Sequence, residues 1–171
     1  MIRLFSLVFL ALTLCGCKKK SVRLTVRVHN PTADVVELSG LNFKKSFIID
    51  SNGEGWVEFD AVPMTYKFLN GSDSTDIFLR NGYNLHMNYV NGKIEKTLKF
   101  SGDGEKVNVA MQKIIRNNKD LRVKLDMYKD EPSKAVQYIE MHFERNKLIS
   151  ENSGLDKMEQ RALIPKIMKG T

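Results

Sequence analysis

A change of hydrophobic period constrains this chain more than any other feature. Val22, Leu24, Val26 and Val28 alternate with Arg23, Thr25, Arg27 and His29, the two-residue period of a strand with one buried and one wet face. Beyond Gly102 and Gly104 the period becomes helical: Val107, Met111, Ile114, Leu121, Leu125 and Tyr128 follow at three- and four-residue steps, with polar Asn118 at the missing place. Strands first and helices afterwards predict an α+β chain, with a β domain over 21–103 and a helical extension over 104–171. Hydrophobic residues make up 42% of the chain, enough to bury a core.

Within the β part, further strands are expected at 34–38, 43–49, 56–59, 61–69, 76–79, 85–90 and 94–100. Turn chemistry separates them at Asn30-Pro31, Ser39-Gly40, 50–55, 70–73, 80–84 and Asn91-Gly92, where Asn and Gly tolerate positive φ. The 50–55 turn is expected to close a hairpin. Short strands at a spacing of about 8–12 residues predict an antiparallel β-sandwich or a barrel-like domain. Two to three helices follow. Asp130-Glu131-Pro132-Ser133 breaks the first from a second, whose apolar stripe is Ala135, Val136, Ile139 and Phe143. A third is expected over 155–168, disturbed by Pro165.

Charge and cysteine content exclude several functions. Lys and Arg outnumber Asp and Glu by 27 to 20, but the excess is spread thinly, without the concentrated basic face and stacking aromatics of a nucleic-acid binder. The two cysteines, Cys15 and Cys17, both lie near the N-terminus, so the remainder carries no disulfide, CxxC pair or thiolate nucleophile.

That N-terminus has its own logic. Arg3 precedes a nearly all-apolar run from Leu4 to Leu14, matching the ~7–15 residues of a signal h-region and too short to span a bilayer. Leu14-Cys15-Gly16-Cys17 resembles the lipobox of bacterial lipoprotein signals. The resemblance implies a signal peptide over 1–16, cleavage before Cys17, and acylation of Cys17, with 17–20 as a basic tether. Acyl chains contribute about 0.8 kcal/mol per buried methylene, and Lys18, Lys19 and Lys20 would meet anionic headgroups.

A second resemblance covers residues 21–115. Ile77-Phe78-Leu79-Arg80-Asn81-Gly82-Tyr83-Asn84-Leu85 resembles a recurrent strand–turn–strand segment of Bacteroidetes lipoproteins. Thr97-Leu98-Lys99-Phe100-Ser101-Gly102-Asp103-Gly104 followed by Asn108 is similar to the next segment, a strand, a Ser-Gly-x-Gly and an Asn on the first helical turn. The family is the β-domain of unknown function that precedes the thioredoxin-like domain of TlpA-type thiol-disulfide oxidoreductases. The WCxxC motif of that second domain does not occur in these residues. The resemblance therefore implies a non-catalytic, membrane-anchored binding or scaffold module without cofactor, whose partner is a thioredoxin-like or other envelope protein. The alternative it implies is the front part of an oxidoreductase whose thioredoxin domain lies beyond residue 171. In similar lipoproteins an acidic cluster after the cysteine marks surface export; Lys18–Lys20 instead imply a periplasm-facing position on the outer membrane.

Candidate site residues are few. His29, His86 and His142 lie in separate elements without metal-ligand spacing. Asp73, Asp76, Asp103 and Glu105 lie in or beside turns but lack the spacing of a calcium loop, and Ser39, Ser101 and Ser153 lack a nucleophile elbow. No catalytic or metal site is expected. Trp56, Phe59, Tyr66, Phe78, Tyr83 and Tyr89 are chiefly core candidates, and an exposed one among them, Tyr83 at a turn tip above all, or Trp56, is a candidate binding surface.

Overall fold

The structure is a computed structural model that describes residues 21–127 and 131–168. The expectations for 1–16, for Cys17, for Lys18–Lys20 and for Tyr128 lie outside the described residues. In chain order the elements are β1 (Val22–His29), β2 (Val35–Gly40), β3 (Phe43–Ile48), β4 (Glu54–Phe59), β5 (Met64–Asn70), β6 (Asp73–Leu79) and β7 (Asn84–Val90). Then come the one-turn helix α1 (Ile94–Thr97), β8 (Lys99–Gly102), α2 (Glu105–Met127), α3 (Pro132–Glu151) and α4 (Lys157–Met168).

The strands form two four-stranded sheets, ordered β4-β1-β7-β8 and β3-β2-β5-β6. They pack as a sandwich and do not close into a barrel. Val22, Leu24, Val26 and Val28 point inward and are fully buried, in one core with Val36, Leu38, Tyr66 and Phe68 of the second sheet. Each such side chain contributes about 1.5–3 kcal/mol relative to exposure, which fixes the register of β1. Among the described residues pairing is antiparallel with one exception: β1 lies beside β4 antiparallel (Val22 opposite Phe59) but beside β7 parallel (Leu24 opposite Leu85). Among the described residues no helix is long and apolar enough to cross a membrane.

Three local expectations are corrected. The 50–55 turn does not close a two-stranded hairpin, because β3 pairs with β2 while β4 pairs with β1 in the other sheet. Asp50 still organises the turn, accepting the Asn52 and Glu54 amides at 2.9 and 2.8 Å, but the chain then crosses between sheets. The strand expected over 94–100 begins only at Lys99. Thr97 Oγ1 accepts the Val90 amide at 2.9 Å and donates to the Lys93 carbonyl, so a helical turn buries Ile94 instead. In α3, Val136 and Phe143 face solvent, and the buried face carries His142, Asn146 and Ser150. Polar pairing across the helix contact outweighs the apolar stripe there: Asn117 donates to Asn146 at 3.0 Å, and Asn146 donates to Asn118 at 2.8 Å.

The helices complete the sandwich. β6 and β8 are edge strands, and α2 contacts both. Asn108, fully buried, donates to the Phe78 carbonyl at 3.0 Å and accepts the Phe78 amide at 2.8 Å. Gln112 donates to the Asp76 carbonyl at 3.0 Å. Side chains of α2 thus take the place of a missing strand along β6. Val107, Met111 and Ile114 of α2, with Leu155 and Leu163, join the same core.

Candidate functional site

The Arg80–Asn84 turn joins the two sheets and holds α4 against them. Arg80 Nη1 lies 2.6 Å from Asp156, its Nη2 lies 3.6 Å from Glu159, and its guanidinium sits 4.8 Å from the centroid of the Tyr83 ring. The Tyr83 hydroxyl donates to Glu159. Burial, reinforced by the Glu159 carboxylate that accepts its proton, raises the pKa of this phenol well above that of a free tyrosine. The Glu159 amide first, and Arg80 with it, hold the Asp156 carboxyl below the usual carboxylate range. Gly104, at φ +86°, makes room for the Tyr83 ring, since a Cβ there would collide with it.

Tyr83 is therefore not an exposed tip: only 5% of it is accessible. Trp56 is open, at 55% accessible on the outer face of the first sheet, with the Arg23 guanidinium 4.4 Å from its ring centroid. The two residues do not make one surface, because one is a buried strut and the other an exposed ring. Sequence reading missed the Arg80–Asp156–Glu159 cluster. Asp156 and Glu159 stand three residues apart and cap the start of α4 reciprocally, a local signal, but Arg80 lies far from both in the chain.

A cleft of about 870 Å³ runs between α4 and the outer face of the second sheet, lined by Leu41, Met64, Phe78, Met158, Arg161 and Pro165 among others. A second hollow of about 280 Å³, between β6, α1 and α2, shares with it the cross-strand neighbours Lys67 and Asp76. The combined trough is apolar along α4 and carries Lys67, Arg116 and Arg161 beside the carboxylates Asp76 and Glu95.

The remaining candidates are dispersed. His29 and His86 are exposed on strands and His142 is buried in α3. Asp73 accepts the Gly92 amide at 2.7 Å and Asp103 the Asn84 amide at 3.2 Å, both as turn-holding contacts. Glu105 sits in the first turn of α2, as the helix dipole favours. Among the described residues no three His, Cys, Asp or Glu side chains gather as a metal site. Comparison with family models, with curated proteins and with solved structures found no match to this chain.

Proposed function

We propose that this chain is a lipid-anchored protein of the bacterial cell envelope, held through an acylated Cys17 and facing the periplasm from the outer membrane. Its sandwich and helices serve as a non-catalytic binding or scaffold module for an envelope protein of thioredoxin-like type. One observation carries the reading: Leu14-Cys15-Gly16-Cys17 ends an apolar leader only five residues ahead of Val22, the first residue of β1. A folded domain that begins so soon after an acylated cysteine is held close to the membrane.

The test is metabolic labelling with an alkyne fatty acid. The expected result is a labelled, shortened, membrane-bound protein whose label and shortening are lost in Cys17→Ser. Full processing without label would sink the anchor. Crosslinking of the anchored protein in native membranes is expected to recover a thioredoxin-like partner, and recovery of none would remove the scaffold role. The resemblance of 77–89 and 97–108 to the front domain of TlpA-type reductases favours a second reading, in which a WCxxC domain follows residue 171. The gene sequence downstream of that codon decides between them.

A further inference from the structure

The end of the sandwich at which β1 begins carries apolar side chains that the fold leaves uncovered. Ser21 accepts the Gly82 amide at 3.0 Å and the Arg23 amide donates to the Tyr83 carbonyl at 2.9 Å, which ties the start of β1 to the turn that grips α4. The loop after β4 is tied to the same turn, since Asn81 accepts the Ala61 amide at 2.7 Å. Beneath that loop, Phe59 and Tyr66 meet Phe43 at centroid distances of 4.8 and 5.2 Å, so the β2–β3 turn lies at this end too. Leu41 on that turn, Val62 in the loop after β4 and Met158 on α4 are 80%, 67% and 47% accessible. Leu41 and Met158 line one cleft, and Val62 precedes Pro63, which lines it as well.

Isolated exposed apolar residues are ordinary; three converging on one end are not. We propose that this end is a membrane-docking face: Leu41, Val62 and Met158 enter the headgroup–acyl boundary of an anionic bilayer, and Lys157 and Arg161 meet its phosphates. The inference rests on the anchor at Cys17. The five residues from Cys17 to Val22 reach at most about 17 Å when fully extended, so β1 cannot begin far from the lipid. Charge agrees with the geometry. Of the nearby carboxylates, Asp156 and Glu159 are engaged by Arg80, Asp60 accepts from the Asn81 side-chain amide and Glu58 from the Ser21 hydroxyl, while Lys157 and Arg161 are exposed. Apolar side chains over a basic rim are what binding at a bilayer interface requires. At the far end of the strands Val35 lies opposite Ile48, also exposed but remote from the tether, and this pair supplies the control.

The test uses the full lipoprotein reconstituted into phosphatidylethanolamine–phosphatidylglycerol vesicles. The folded part contains no cysteine, so Leu41→Cys, Val62→Cys and Ile48→Cys each provide a single site for a fluorophore. Spin-labelled lipid is expected to quench the first two at least ~3-fold more strongly than the third, with the contrast shrinking in vesicles of zwitterionic lipid alone. Equal quenching at all three sites, or none, in protein that floats with the vesicles would overturn the docking face and leave the anchor standing. Protein that fails to float because Cys17 carries no acyl chain would overturn both.

Discussion

Asn108 shows how much a single polar side chain contributes here. It is fully buried and makes three hydrogen bonds, two to the Phe78 backbone on the open edge of β6 and one to the Gly104 carbonyl. Asn108→Ala leaves the Phe78 amide and carbonyl buried without partners, a cost of about 2–4 kcal/mol, seen as a lower denaturant midpoint. An unchanged midpoint would mean that water reaches the edge. Gly53 makes a second residue-scale case. At φ +78° a Cβ would collide with the Val28 carbonyl, whereas Gly92, at φ +70°, has open space around it. Both Ala variants incur the left-handed penalty of about 1 kcal/mol, but only Gly53→Ala must also move β1, so its melting temperature should fall further.

At the scale of elements, α3 turns a polar face inward. Its His142 is buried, and that burial first, then the charge of Arg145, lowers its pKa, while Asp120 pulls the other way. Because the folded pKa lies below the unfolded value of about 6.5, the contribution of neutral His142 is complete above that pH and is lost as pH falls through it. Amide exchange in α3, corrected for intrinsic rates, is expected to quicken at pH 5 relative to pH 7, and His142→Leu should abolish the difference. The same helix marks a limit of sequence reading. Val136 and Phe143 had the spacing of a core stripe, but what selects the buried face is Asn117 on another helix, a partner that periodicity does not report. The 50–55 turn was misread for a related reason: its Asp-Asn-Gly chemistry suits either a hairpin or a crossing, and only distant β1 decides between them. Where the deciding partner is local, as at Asn70-Gly71-Ser72-Asp73 between β5 and β6, the turn and both strands were legible. So was β1, whose every second side chain is aliphatic. Of the six aromatics expected chiefly in the core, Trp56 is the exposed one, while Tyr83 is covered by a helix that lies far along the chain.

The molecule as a whole buries tyrosines at both ends of its core. Tyr83 and Tyr89 are 5% and 1% accessible, and burial raises the phenol pKa of each, aided by Glu159 at Tyr83 and by Asp73 at Tyr89. A folded pKa above the unfolded value of about 10 leaves stability intact below that pH and erodes it as pH rises further, by up to about 1.4 kcal/mol per pH unit for each tyrosine. Unfolding between pH 9 and 11 should show this loss, and Tyr83→Phe combined with Tyr89→Phe should flatten it. The parallel contact at the centre of the first sheet carries a consequence of a different kind, in the order of assembly. β1 leaves the ribosome before every other strand, yet its neighbours are β4 and β7, which end at Phe59 and Val90. Neither contact is local, so closing the loops between them precedes any reward from pairing, and folding is correspondingly slow. An aliphatic strand thus has no partner until β4 is made and no second one until β7, and only then is the first strand flanked on both sides.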